Sequence, residues 1–349
     1  LYPFSVPRLR ILLLADTHLG FDLPARPRVQ RRRRGPDFFA NFERALAAGR
    51  DGEVDLVVHG GDVLFRSRVR PRLVQMAFEP LMAVADGGVP VVVVPGNHER
   101  SQIPYPLLAA HPQVHILHHP RTVVLELTGL TVAVAGFPFE RHDVHRRFPE
   151  LLAATRWRRR PAAVRLLCLH QTVEGARVGP AGYTFRRGAD VIRGRDIPPG
   201  FAAVLAGHIH RRQVLTADLA GRPLAAPVLY PGSIERTSVA ERHEPKGYMT
   251  LEVSPGDGGG ELRRWAFHPL PARPMIDVDL DPAGLGRDAL AARLRELLGT
   301  LDPDAVVRLR LRGEPQPAAR ELLRAGAVRS LAPQTMTVTV RRPAAPRET

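Results

Sequence analysis

Four consecutive valines, Val91, Val92, Val93 and Val94, lie between Pro90 and Pro95, and no other feature constrains the fold more. β-branched residues fit a pleated interior. A run without polar alternation predicts a short strand buried on both faces, as in a parallel sheet covered by helices. Pro95-Gly96 then turns the chain and leaves Asn97-His98-Glu99 as a polar tip at the strand's carboxyl end. In open α/β sheets that edge is where ligands bind. Asn97 offers a neutral oxygen ligand and His98 an imidazole, the side-chain type suited to acid or base work near neutral pH. Taken alone, Gly-Asn-His-Glu is also an ordinary polar turn.

The same arrangement recurs along the chain. Residues 10–15 form an apolar strand that ends in Asp16-Thr17-His18. An Asp and a His two apart in an extended segment point the same way and can share one metal. A second apolar strand, residues 54–58, leads into His59-Gly60-Gly61-Asp62. Its glycines let backbones pack closely, and the Asp62 carboxylate has two oxygens with which to bridge two cations. His59 is read as a wall residue. Residues 163–169 form a strand ending on His170, and residues 201–206 one ending in Gly207-His208-Ile209-His210.

Asp16, His18, Asp62, Asn97, His170, His208 and His210 thus supply seven nitrogen or oxygen ligands at strand ends. That set fits two divalent cations bridged by one aspartate. Mixed imidazole and carboxylate ligands suit manganese or iron, with zinc open. Two such ions clamp a phosphoryl group and activate water. Cys168 lies inside a strand, two residues before its His170 end, and is read as offering no thiolate.

Composition bounds the partners. A chain of 349 residues, 44% hydrophobic, predicts one large domain and a small one. A single cysteine suits a reducing cytosol, and no apolar stretch is long enough to span a membrane; the run at residues 11–15 is too short for a signal-peptide core. The net charge of +15 suggests an anionic partner such as nucleic acid, although an Arg-rich chain with Lys246 as its sole lysine also reflects coding bias. Placement carries more information. Arg31, Arg32, Arg33 and Arg34, then Arg66, Arg68, Arg70 and Arg72, then Arg100, then Arg211 and Arg212 all follow proposed site residues. As a set they are read as a phosphate-binding rim.

The remaining elements complete an α/β pattern. Phe38, Phe39, Phe42, Ala45 and Leu46 mark one helix face, and residues 73–85, 104–110 and 142–154 read as further helices, the last with a basic end at Arg156 and residues 158–160. His111, His115, His118 and His119 read as surface or packing residues. Residues 122–127 and 131–135 suggest a hairpin around Gly129, and residues 175–196 a loop over the site. Residues 224–230, 247–253 and 261–267 read as strands of a second sheet, with 230–236 a tight turn between them. After a proline-rich linker at 268–274, residues 275–342 alternate strand and helix as a small α/β domain, and 343–349 form a tail expected to be disordered.

Asp-x-His, Gly-Gly-Asp, Gly-Asn-His-Glu, a lone strand-end His and Gly-His-x-His, in that order over residues 11–236, resemble the calcineurin-like metallophosphoesterase superfamily. The resemblance implies a four-layer α/β/β/α sandwich over residues 1–271 and a binuclear centre. Asp16, His18 and His210 would hold one metal, Asn97, His170 and His208 the other, and Asp62 both. His98 would contact the scissile phosphate and help the leaving oxygen depart. Within the superfamily, Ala15-Asp16-Thr17-His18-Leu19-Gly20, Leu169-His170-Gln171, Tyr230-Pro231-Gly232-Ser233 and the small C-terminal domain are similar to SbcD-type DNA double-strand-break repair nucleases. That similarity implies a DNA exonuclease or endonuclease, which with the ligand types is expected to use manganese, iron or zinc being open, and with the single cysteine to be cytoplasmic. Its implied partners are DNA, an SMC-like ATPase and a second copy of the chain. Two features depart from the pattern. Val63-Leu64-Phe65-Arg66 follows Asp62 where those nucleases commonly carry a His, and no helical extension for docking the ATPase follows the cap. The alternatives are a small-molecule phosphoesterase acting on cyclic nucleotides or nucleotide phosphate esters, and a catalytically silent DNA-binding scaffold. A phosphoprotein phosphatase lacks support, because its Gly-Asp-x-x-Asp-Arg-Gly segment is replaced here by Gly61-Asp62-Val63-Leu64-Phe65-Arg66-Ser67.

Overall fold

The structure is a computed structural model that describes residues 7–24, 26, 31–99, 111–159 and 161–341. Arg100, the helix expected at 104–110 and the tail 343–349 lie outside the described residues.

The valine run forms strand β3 (Val91–Val93), fully buried as its lack of alternation requires. It pairs in parallel with β2 (Leu56–His59), which pairs in parallel with β1 (Leu9–Leu14); β4 (Val114–Ile116) lies on the other side of β3. Two helices make the crossovers. Helix α1 (Gly35–Arg50) buries Phe38, Phe42, Ala45 and Leu46, which follow the helical period. Helix α2 (Pro71–Asp86) opens on a proline, whose missing N–H costs nothing in a first turn, and buries Val74, Ala77, Phe78, Leu81 and Val84.

A second six-stranded sheet is built around the parallel strands β7 (Val164–His170) and Ala203–Gly207. Its edge is the hairpin of β5 (Arg121–Leu127) and β6 (Leu130–Gly136). The hairpin turns through Thr128 and Gly129, both at positive φ (51° and 77°), as a two-residue turn matched to strand twist demands. Helix α3 (Val144–Ala154) lies between β6 and β7 in the chain.

Apolar side chains sort into layers. Leu12, Leu14, Val57, Val91 and Val93 pack with α1 and α2, whereas Ile11, Leu13, Val58 and Val92 meet Val134, Leu166 and Leu205 of the second sheet. The far side of that sheet, with Leu167, Leu169, Val204 and Val228, packs with Val144, Phe148 and Leu152 of α3. The result is the α/β/β/α sandwich. Each fully buried Val or Leu contributes roughly 1.5–3 kcal/mol, so the doubly covered strands hold their carboxyl ends firmly in place.

One sheet assignment is corrected. Pro223–Tyr230 joins the second sheet, but Gly247–Ser254 and Glu261–Pro269 do not. Gly247–Ser254 runs antiparallel to β1, from Leu9↔Val253 to Leu13↔Met249, and so extends the first sheet. Half-buried alternation records which face of a strand is covered, not which neighbour it pairs with.

The chain divides into two compact units. One comprises residues 1–21, 37–235 and 244–271; the other comprises 22–36, 236–243 and 272–349. The second unit holds three parallel strands, Met275–Leu280, Val306–Leu311 and Thr337–Arg341. They pack with the helix Arg287–Gly299 around Leu290, Leu294, Val307 and Leu309. Between the last two strands the chain makes a tight helical turn, Pro317–Leu323, and a short helix, Ala325–Leu331.

Candidate metal centre

The carboxyl ends of β1, β2, β3, β7 and Ala203–Gly207 converge, and the structure brings all seven candidate ligands together there. On one side, His18 Nε2 and His210 Nε2 lie 2.9 Å apart, with Asp16 Oδ1 3.9 Å from His210 Nε2. On the other, Asn97 Oδ1 lies 3.1 Å from His170 Nε2 and 3.0 Å from His208 Nδ1. Asp62 sits between the groups: its Oδ2 is 3.5 Å from His170 Nε2, and ligand atoms of Asp62 also cluster with those of His18 and of Asp16.

Four of these residues hold a backbone conformation that L side chains seldom adopt: φ is 52° at Asp16, 44° at His18, 53° at Asp62 and 84° at His208. Each such residue costs of order 1–3 kcal/mol and persists only where its surroundings enforce it. Here they do. Asp16 N–H donates to the Gly61 carbonyl (2.9 Å), His18 N–H to the Asp62 carbonyl (3.0 Å), and His208 N–H to the Asp16 carboxylate (3.1 Å). Missing side chains permit the close approach: a Cβ on Gly96 would stand 2.2 Å from Asp62 Oδ1, and one on Gly61 2.4 Å from His170 Nδ1.

The donor set fits cations. His170 Nδ1–H donates to the Gly60 carbonyl at 2.7 Å, so Nε2 of the neutral ring carries a lone pair aimed at two oxygens, Asn97 Oδ1 and Asp62 Oδ2. Such mutually facing acceptors need a positive charge among them. Burial pushes the His170 ring down, but Asp62 and Asp16 outweigh it and raise its pKa to about 9. Burial likewise drives His18 well below its ordinary value, reinforced by His210, and His18 Nδ1 is buried without a hydrogen-bond partner. Burial also lifts Asp16, while for Asp62 burial is outweighed by His170 and His18, which hold it well below the carboxylate range. Burial, followed by the charge of His170, lowers His208 to about 3. Neutral imidazoles at His18 and His208 beside the ionised Asp62 carboxylate are the state that binds divalent metal, and a bound cation would take the place of the proton that the two aspartates otherwise hold on His170.

Residues 9–212 match the family model described as calcineurin-like phosphoesterase. The chain belongs to this family. It is 31% identical over 318 residues to "DNA double-strand break repair protein Mre11" of Haloferax volcanii, covering 89% of this chain and 64% of that protein. It is 26% identical over 309 residues to the protein of the same name from Aeropyrum pernix, covering 84% and 69%. It is also 26% identical over 278 residues to a component of "Nuclease SbcCD" of Bacillus subtilis, covering 71% and 67%. The chain therefore spans 64–69% of the length of these relatives. The calcineurin-like fold implies two divalent metals, and the two groups of ligand atoms described above match that number. No helix among the described residues is long and apolar enough to cross a membrane.

His98 borders the centre: a ring nitrogen lies within 4.8 Å of ligand atoms of His18 and Asp62, outside the two tighter groups above. Its Nδ1–H donates to the Phe65 carbonyl, its ring is 4.9 Å from that of His18, and its side chain is 30% exposed. His59 is fully buried, as a wall residue should be. Nδ1 accepts from Gly61 N–H at 3.1 Å and Nε2 meets Thr17 Oγ1 at 3.0 Å, which ties the loops after β1 and β2 together.

One contributor was not read from the sequence. Glu99 is almost wholly buried and accepts three backbone N–H groups, from Asp62 (2.9 Å), Leu64 (2.7 Å) and Gly96 (2.8 Å). Burial and the Asp62 charge push its pKa up to about 8 against the pull of those donors. The sequence offers only a weak signal, an acid directly after His98.

The candidate rim arginines divide. Residues 31–34 belong to the second unit. There Arg31 and Arg33 pair with Asp22 (2.5 and 3.1 Å), Arg32 with Asp304 (2.5 Å), and Arg34 donates to the Arg236 carbonyl. Arg211 lies 3.8 Å from Glu244, and Arg66 is exposed over the Phe65 ring at 5.6 Å. Arg68, Arg70 and Arg72 are exposed. Pairs such as Arg32–Asp304 join residues far apart in sequence and leave no local pattern to read.

Proposed function

We propose that the chain is a binuclear-metal-dependent phosphodiesterase that cleaves DNA, working in double-strand-break repair. The observation that carries the reading is the convergence of Asp16, His18, Asp62, Asn97, His170, His208 and His210 on one pocket, with the His98 ring at its border. The relatives named for DNA break repair and nuclease activity support the choice of substrate.

In this reading Asp16, His18 and His210 would hold one cation and Asn97, His170 and His208 the other, with the Asp62 carboxylate shared between them. Manganese is the metal assigned here, one of those that this imidazole and carboxylate set suits. When bound, the pair polarises phosphoryl oxygens and lowers the pKa of water. The protein's own contribution is positional. The strained loops fix the ligands before substrate arrives, and the Phe65 carbonyl fixes the His98 tautomer so that Nε2 is left to meet substrate. In its doubly protonated form the ring presents Nε2–H to the leaving oxygen of the diester, stabilising charge as the P–O bond breaks.

Arg66 is the rim residue best placed to meet a phosphate, since it extends from the loop that holds His98. The Bacillus relative is named as one component of a nuclease, which supports a companion protein, here the ATPase. The single, wholly buried Cys168 suits a cytoplasmic setting. The test is hydrolysis of labelled duplex DNA in Mn²⁺: release of nucleotides or internal nicks supports the reading, and activity on cyclic nucleotides alone transfers it to the small-molecule alternative.

A further inference from the structure

A second cavity of about 830 Å³ opens between the β4–β5 connection and the turn that ends α3. Arg121, Arg156 and Arg159 line it together with His115 and His119, and among the described residues no Asp or Glu does. None of the three arginines lies within ion-pairing distance of a carboxylate among the described residues, unlike Arg31, Arg32 and Arg33. Asp196 lines a neighbouring cavity that Arg156 and Arg159 also border, but its ion-pair partner there is Arg195, at 3.9 Å. Burial, then the charge of Arg121, holds His115 below its ordinary pKa, as expected where positive potential is left uncompensated.

The backbone carries an independent sign. Arg156 directly follows Thr155 at the end of α3 and takes φ 59°, a left-handed conformation at a position where glycine is favoured. A long cationic side chain held there at a cost of order 1 kcal/mol or more points to a use for its charge. Trp157 is buried under Arg158, whose guanidinium sits 4.5 Å from the indole, so the turn is anchored.

Its place relative to the metal centre suggests what it holds. His118 lines the cavity shared with Asn97 and His208, while the next residue, His119, lines the basic groove. Their rings are 4.4 Å apart. Arg121 follows three residues after His118, so the two Cα atoms are at most about 11 Å apart. A nucleic-acid strand covers that span in about three phosphates at 3.4 Å of rise each.

We infer that Arg121, Arg156 and Arg159 form a phosphodiester-backbone subsite, which holds the nucleic-acid strand beyond the scissile phosphate on the Asn97/His208 side of the metals. This rests on the DNA reading above. The subsite carries no base specificity, because it offers only charge to the backbone.

The experiment measures binding of a fluorescein-labelled DNA duplex by anisotropy across a salt series in chelator, alongside Mn²⁺-dependent hydrolysis of bis(p-nitrophenyl) phosphate. For the triple variant Arg121→Gln, Arg156→Gly, Arg159→Gln, the log–log salt slope should flatten by about 2–3, at about 0.9 per phosphate no longer bound, with chromogenic hydrolysis unchanged. Replacing the same three with Lys should restore most of the slope. Triple-variant binding equal to wild type overturns the subsite and leaves the DNA reading intact; a wild type that hydrolyses the small diester but binds no DNA overturns the DNA reading itself. If the triple variant loses chromogenic activity, Arg121→Gln and Arg159→Gln are measured singly. Each should lower the slope by about 0.9, and no change in either overturns the subsite.

Discussion

The backbone N–H of His98 donates to Asp62 Oδ1 at 2.9 Å, while the His98 ring turns aside to the Phe65 carbonyl and leaves its Nε2 3.9 Å from Asp62 Oδ2. One residue thus braces the proposed bridging carboxylate through its main chain and serves substrate through its side chain. Side-chain substitution removes the second role and spares the first.

Asp62→Asn and His98→Gln should therefore fail in different ways. Loss of the Asp62 carboxylate should lower both bound metal and turnover. His98→Gln should keep its metal, measured by elemental analysis, while kcat falls by roughly 10²–10⁴. Equal loss of metal in the two variants would contradict the roles assigned.

Glu99→Ala should destabilise the metal-free protein by about 3 kcal/mol, because three buried N–H donors lose their shared acceptor. Denaturant unfolding gives the value directly. A change below about 1 kcal/mol, the worth of a single ordinary hydrogen bond, would mean that Glu99 does not organise the Asp62 loop.

His59 sets a pH dependence. Burial first, then the charge of His170, lowers its pKa from 6.5 to about 3 in the folded chain. Between those values the unfolded chain binds a proton that the folded one does not, so this contribution to stability is present above pH 6.5 and is lost as pH falls toward 3. Metal-free His59→Gln should show a shallower fall in unfolding free energy over that window than wild type. Parallel slopes would show that His59 takes up its proton without unfolding.

Much of the centre was legible because each apolar strand stops abruptly on a polar residue, and covered parallel strands deliver their ends to one edge. Glu99 escaped notice because a buried acid in a polar turn looks like any turn acid until its three N–H partners are seen. The pairing of Gly247–Ser254 with β1 was equally hidden, since alternation does not name a neighbour. Residues 22–36 and 236–243 carry no apolar period, and nothing local ties them to the second unit, where Asp22 gathers Arg31 and Arg33. The unpaired arginines of the β4–β5 edge lie 35 residues apart between Arg121 and Arg156, and the fold alone makes them neighbours.

The central claim, a binuclear metal phosphodiesterase, is tested most directly by titrating exhaustively chelated protein with Mn²⁺ while following bis(p-nitrophenyl) phosphate hydrolysis. The account predicts no turnover in the verified apo protein and recovery that saturates at two metal ions per chain, one for each ligand group around Asp62. Undiminished hydrolysis by protein shown to be free of metal would contradict it.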